Sequence, residues 1–325
     1  ATILLVWKCA RMLGRDPVAA IALAGLNPVV LVWGLGGDHN DFLMVFCVVL
    51  GFYLMLRARE RSGVAAELAR LAAGKPARRA RGLPARALAL VLPLSALDMG
   101  GGAAFVTAVA LKASAAVLIP VALAAVARAP RRLVQTALGM LLWGAALAFA
   151  SLIAFGLHIP DLSTQSQLVT SLSVPNLLGL LLGLGGESAG LRSLMDATLL
   201  GAVAVCCWAL WSRGRGRGPR LGAVAGPAAA DAESGEARAI TAAGWASMAL
   251  LLTLSWVLPW YVVWVLPLAA LSSSRRLRTG ALLFGVYLIV VWAPASQSVW
   301  NAIGFHPEKT QLGRVHQRFV KELLD

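Results

Sequence analysis

Long uncharged apolar runs separated by blocks of arginine limit what this chain can become. Residues 133–157 and 279–295 contain no charged side chain, and crossing a hydrocarbon core of about 30 Å takes ~20 helical residues. The runs are continuously apolar and do not alternate as barrel strands would, so helices are the expected spans. Composition agrees. At 59% hydrophobic and 14% charged residues, with mean hydropathy +0.75, the chain is far more apolar than a soluble domain, which has roughly a quarter of its residues charged. The expected fold is all-α, a polytopic transmembrane helix bundle of about 9–10 spans. Cys9, Cys47, Cys206 and Cys207 lie in or beside apolar runs without metal-ligand or disulfide spacing, and read as small lipid-embedded hydrophobes. The opening ATILLVW has neither an initiator methionine nor a basic segment before it. It reads as the middle of a helix with residues preceding it, and not as a signal peptide.

The net charge of +14 raises the question of nucleic acid. The basic residues are not interleaved with aromatics as in a single-strand groove, so a nucleic-acid partner is not expected. They come in blocks between the runs, at Lys8 to Arg15, Arg57 to Arg86, Arg128 to Arg132, Arg213 to Arg238 and Arg275 to Arg278, which hold 23 of the 29 Lys and Arg. By the positive-inside rule these are the cytoplasmic loops of a multi-pass plasma-membrane protein. Residues 18–34 then run outward and 42–56 inward. Residues 239–274 form an outward hairpin broken at Leu258-Pro259-Trp260-Tyr261, because proline lacks a donor and disfavours helix at the residue before it. Residues 87–127 form another, with its turn at Asp98-Met99-Gly100-Gly101-Gly102 or at Lys112. Lys112 is preferred, since a span over 88–110 then has full length and a short arm returns. Residues 133–157 cross outward, 193–212 return, and 279–295 cross outward again.

The multi-span unit is expected over 1–304, with a tail over 305–325. Within it, loop 57–86 has Val64, Leu68 and Leu71 at helical spacing among arginines, an amphipathic pattern suited to anionic headgroups. Loop 213–238 is rich in Gly, Ala, Pro and Arg and reads as a linker. In the outer loop 157–192, LLGLLLGL is too short to span and reads as a helix in the outer interface.

The outer hairpin tip Gly36-Gly37-Asp38-His39-Asn40-Asp41 packs two carboxylates, an imidazole and a carboxamide between apolar runs. One Asp or Asn would suffice as a helix cap and the glycines would make the turn. The remaining polar groups sit where such groups are costly, which favours a site. Lys112 has three readings: snorkelling to the interface, an ion pair with Asp98, or a point charge for a lipid phosphate. Trp256, Trp260, Tyr261 and Trp264 around the proline break suit an aromatic belt or a platform for the apolar face of a sugar. His158, Asp161 and Glu187 read as solvated loop residues. No GxxxxGK[ST] loop, HExxH or Cys-rich pattern appears, so the sequence calls for neither an ATP-driven pump core, nor a metal site, nor any cofactor.

Asn27-Pro28, the Gly36–Asp41 tip, a lysine ending an apolar helix and Pro259-Trp260-Tyr261-Val262-Val263-Trp264, in that order, resemble multi-spanning (C-type fold) glycosyltransferases that use polyprenyl-phosphate sugars. Within these, the chain looks most like the actinobacterial polyprenol-phosphomannose-dependent α(1→6)-mannosyltransferases. The resemblance covers Asn27 to Trp264. It implies inverting transfer of mannose on the extracytoplasmic face, from a polyprenyl-phosphate-mannose donor to a growing mannan or lipoglycan acceptor. By the same resemblance, Asp41 or Asp38 orients the acceptor or acts as base, His39 and Asn40 bind sugar hydroxyls, Lys112 holds the phosphate, and Trp260 and Tyr261 line the sugar pocket. It also implies a catalytic acid in a first outer loop, which would precede Ala1. The rival reading is a transporter or flippase of a lipid-linked sugar. Transport needs polar residues through both leaflets, whereas these candidates gather at one face.

Overall fold

The computed structural model describes residues 1–34, 40–73, 96–157, 168–170, 172–212 and 235–293, with 298, 299, 302 and 304, and these contain no strand. Helix α1 (Thr2–Met12) leads into the first basic block and α2 (Pro17–Gly25) leaves it. Asp16 makes that turn: its Oδ1 accepts from the Val18 and Ala19 N–H groups at 2.9 and 3.2 Å, ahead of Pro17 in the first turn, where a proline loses no hydrogen bond. Beyond α2, Asn27 Oδ1 accepts from Val29 N–H at 3.0 Å and a π-helical turn covers Val30–Gly34.

Helix α3 (Asp41–Ala73) starts with an acid in its first turn and runs for 33 residues. The expected amphipathic segment is therefore the continuation of α3 and not a separate helix. Its Val64, Leu68 and Leu71 side chains and residues 74–95 lie outside the described residues. Helix α4 (Ala96–Leu111) returns beside α3. Gly100, Gly101 and Gly102 are helical, so the glycine run is not a turn. Its use is packing: a Cβ at Gly102 would strike the Thr136 carbonyl, and one at Gly139 would strike the Met99 backbone. Small residues let two helix backbones approach closely, and here they seat α4 on α6 (Pro130–Phe155). The turn falls at Lys112, whose extended backbone (φ −156°, ψ 115°) ends α4. The returning arm is short, a 3₁₀ segment Ala113–Val117 followed by α5 (Leu118–Val126).

Helix α7 (Val174–Leu181) is the short outer-loop helix, begun by Ser173 Oγ accepting from Asn176 N–H at 3.3 Å. Helix α8 (Ala189–Ser212) follows. Helix α9 (Gly235–Thr253) takes in the end of the expected 213–238 linker; residues 213–234 lie outside the described residues. After α9 the chain breaks at the extended Leu258 and continues as a 3₁₀ segment Pro259–Trp264 and α10 (Leu266–Leu271). The expected hairpin thus has one helical arm and one interrupted arm. Helix α11 (Arg275–Trp292) is capped by Ser274, which accepts from Leu277 N–H at 3.2 Å. Residues 305–325 lie outside the described residues.

Among the described residues three helices have spanning length and hydropathy, Asp41–Ser62 and all of α6 and α8. The apolar window of α3 is 61% buried by protein, and those of α6 and α8 only 6%. Helix α3 is therefore the centre, while α6 and α8 expose Leu141, Phe149, Ile153, Leu200 and Trp208 to the apolar surroundings a membrane supplies. Cys9 and Cys47 are buried inside the protein, correcting the lipid-embedded reading; Cys206 and Cys207 are partly exposed.

One arginine fastens the end of the bundle that carries the arginine blocks. Arg132 donates from Nε and Nη2 to Asp98 Oδ1 at 3.1 and 3.0 Å, from Nη2 to the Met55 carbonyl at 2.8 Å, and from Nη1 to Glu236 Oε1. Arg59 Nε adds a contact to Glu236 Oε2 at 3.4 Å. Helices α3, α4, α6 and α9 are joined there. Asp98 is thus neither an outer turn nor the partner of Lys112, from which it is separated by the length of α4. Replacing Gly139 by Val forces α4 and α6 apart, and overpacking of this kind costs ~1–3 kcal/mol. Thermal unfolding in detergent is expected to show a lowered midpoint for Gly139→Val and none for Gly201→Val in α8, where a new Cβ meets nothing within 4 Å. Equal midpoints would mean that the helix contact does not hold the bundle.

Candidate functional site

Where α4 ends, the extended backbone turns the Lys112 side chain toward the first residue of α3 and the 3₁₀ segment. Its Nζ donates to Asp41 Oδ1 at 2.8 Å. The same ammonium lies 4.2 Å from the ring centre of Tyr261 and 4.8 Å from that of Trp264, within range of cation–π attraction. Trp264 Nε1–H donates to the same Oδ1 at 2.5 Å. Tyr261 and Trp264 stack with centroids 4.2 Å apart and 23° between planes. Three residues make one turn of a 3₁₀ helix, which puts both rings on one side of the Pro259–Trp264 segment. Trp260 meets Tyr261 edge-on at 6.2 Å. Asn40 donates from Nδ2 to the Leu111 carbonyl at 3.2 Å, satisfying one of the acceptors left at the end of α4.

The Asp41 side chain is 2% exposed and that of Lys112 22%. The carboxylate is sealed in, while the lysine side chain stays partly exposed. Among Met44, Val48, Leu118 and Trp264 only about 10 Å³ of space remains. The cluster offers an ammonium of fixed position, flanked by aromatic faces, to a negatively charged group that carries an apolar or sugar face.

Of the residues singled out from the sequence, the structure brings together Asn40, Asp41, Lys112 and Tyr261, with Trp260 beside them. Asp38 and His39 lie outside the described residues, as do His158 and Asp161. Glu187 is not a solvated loop residue. Its side chain is buried, and Oε1 accepts from Arg192 Nε at 3.0 Å and from Ser255 Oγ at 2.6 Å. With Thr170 N–H donating to the Ser255 carbonyl at 2.9 Å, this ties the outer loop to the segment after α9. Trp264 stood out in sequence as one of four clustered aromatics and as the end of the Pro259–Trp264 motif, without an assigned role, and it is a direct partner of Asp41. Among the described residues no three His, Cys, Asp or Glu side chains gather as a metal site requires.

Removing one member of a buried ion pair strands the other, at about 3–5 kcal/mol, whereas removing both costs less. Lys112→Met is therefore expected to lower the thermal midpoint more than the double variant Asp41→Asn/Lys112→Met does. Simple additivity of the two single effects in a double-mutant cycle would show that the pair is uncoupled.

Comparison with known proteins matches residues 1–128 to the family model described as "Alpha-(1->6)-mannopyranosyltransferase, N-terminal domain", and residues 229–307 to the "MptB C-terminal domain". The chain is 28% identical over 314 residues to α-(1→6)-mannopyranosyltransferase A of Mycobacterium tuberculosis, covering 90% of the chain and 50% of that protein. It is 26% identical over 338 residues to a second α-(1→6)-mannopyranosyltransferase of the same organism, covering 90% and 52%. A 58-residue stretch is 38% identical to α-(1→6)-mannopyranosyltransferase A of Corynebacterium glutamicum, covering 18% of the chain and 12% of that protein. The chain spans about half the length of the two M. tuberculosis proteins. No solved structure matches.

Proposed function

Because the chain belongs to the α-(1→6)-mannopyranosyltransferase family, we propose that it carries the donor-phosphate end of a site that transfers mannose from a polyprenyl-phosphate-mannose donor to a mannan or lipoglycan acceptor, forming an α(1→6) linkage on the extracytoplasmic face of the plasma membrane. The observation that carries this reading is the Lys112 ammonium, held by Asp41 on a partly exposed side chain at the end of the bundle away from the arginine blocks.

In the reaction the acceptor hydroxyl attacks the anomeric carbon, the bond from that carbon to the phosphate oxygen breaks, and polyprenyl phosphate leaves with the electron pair. Charge grows on the leaving phosphate in the transition state, and a preorganised cation beside it lowers the barrier. Lys112 has that role. Asp41 already accepts two hydrogen bonds on Oδ1 and is nearly sealed, so it acts as the counter-ion that aims Lys112. On this reading the acceptor proton goes to Asp38, the other carboxylate of the tip. Trp260, only partly buried, offers a ring face and a polar edge to the transferred sugar, with the buried Tyr261 backing it and Asn40 exposed.

The test supplies full-length protein with polyprenyl-phosphomannose and a short α-mannan. Lys112→Ala is expected to lower kcat by about 10²-fold or more, the usual scale for losing one donor to a developing charge. Asp41→Asn is expected to lower it less, with a larger share of the loss in KM for the donor. Unchanged turnover in Lys112→Ala overturns the site assignment. The face is tested independently with a cysteine in place of the exposed Asn40. A membrane-impermeant maleimide should label it in intact cells, and labelling only after lysis would put the site in the cytosol.

A further inference from the structure

At the opposite end of the bundle a crevice of about 600 Å³ opens between α8 and α9. Its walls are apolar, with Val205 from α8 and Trp245, Met248 and Leu252 from α9, and its mouth carries Arg238, Arg276 and Ser273. From Arg238 to Leu252 the wall follows about 21 Å of helix, enough to accept a long hydrocarbon chain within a ~30 Å core.

The mouth is unusual in its charge. At this end of the bundle Arg132 and Arg59 both reach Asp98 or Glu236. Among the described residues Arg238 has no hydrogen bond or ion pair, and its Nε is buried without an acceptor. A buried donor left unpaired costs ~1–3 kcal/mol, and no carboxylate of the described residues lines the crevice. Arg276 is exposed at the same mouth, and the capped N-terminus of α11 beside it adds partial positive charge. A guanidinium fork matches phosphate oxygens in geometry and charge, and basic mouths between membrane helices hold anionic headgroups.

We propose that this crevice binds one anionic phospholipid, its phosphate on Arg238 and Arg276 and an acyl chain along Val205, Trp245, Met248 and Leu252. The site is separate from the Lys112 cluster and does not depend on the transfer reaction.

The test reconstitutes the full-length protein in phosphatidylcholine nanodiscs doped with phosphatidylglycerol carrying a photoreactive acyl chain, and maps the cross-linked peptides by mass spectrometry. The probe is expected to label α8 and α9, at least ~10-fold more than a phosphatidylcholine probe with the same chains, the scale of one or two charge-assisted hydrogen bonds. Arg238→Gln/Arg276→Gln is expected to remove that preference, and excess unlabelled phosphatidylglycerol to compete. Equal labelling by the two probes in the wild type overturns the proposal without need of any variant, as does labelling confined to other helices. Competition by polyprenyl phosphate but not by phosphatidylglycerol also overturns it, and would assign the crevice to prenyl lipids.

Discussion

A carboxylate placed among membrane-spanning helices needs a cation, because hydrocarbon offers it no water and an unpaired charge there costs several kcal/mol. That constraint sets the register of the central helices. Asp41 opens α3 and meets Lys112 at the end of α4; Asp98 near the start of α4 meets Arg132, which also takes the Met55 carbonyl of α3. Asp41 to Met55 is 14 residues, and so is Asp98 to Lys112. At ~1.5 Å per residue both clasps stand about 21 Å apart on either helix, so the antiparallel pair is locked at two levels by matched spacings. A slip of one residue would break both clasps together.

The helices outside this pair are held by shape. Gly102 and Gly139 let α4 and α6 touch backbone to backbone, and α6 keeps Leu141, Phe149 and Ile153 exposed. The site lies where regular helix stops. Lys112 and Leu258 are both extended, and the segments after them are 3₁₀. Irregular backbone at such a position is tolerated where protein surrounds it, and Tyr261, Val262, Val263 and Trp264 are indeed buried. The interruptions shorten the returning arms and bring one lysine and two aromatic rings over the first turn of α3.

Much of this was legible in sequence. Pro17, Pro130 and Pro259 mark where helical segments begin, and Lys112 marks the turn, because each acts through local chemistry. The polar tip and the aromatic run were legible as candidates for the same reason. Pairing was not. Asp98 and Glu236 share a partner in Arg132, which lies 34 residues from Asp98 and 104 from Glu236, and no local rule chooses it over the neighbouring arginines. Glu187 read as solvated because it sits in a polar loop, whereas Ser255 and Arg192 bury it. The glycine run read as a possible turn because glycine serves turns and close helix contacts equally well, and only the opposing Thr136 and Met140 backbone decides between them.

The Asp41 pairing bears on how a lysine serves as an anion site. A free lysine carries about 2 kcal/mol of side-chain entropy, and binding a phosphate would have to freeze it. Here Asp41 and two ring faces have already done so during folding, and the rings exclude water from one flank. The carboxylate does offset part of the positive charge, a real cost to ground-state attraction. That cost is larger still in the transition state, where the phosphate carries more charge, so the pairing helps only because a cation already in place needs no reorganisation as that charge grows. On the proposed function, then, Asp41 gives up part of the site's net positive charge for a lysine already held where the donor phosphate binds and departs.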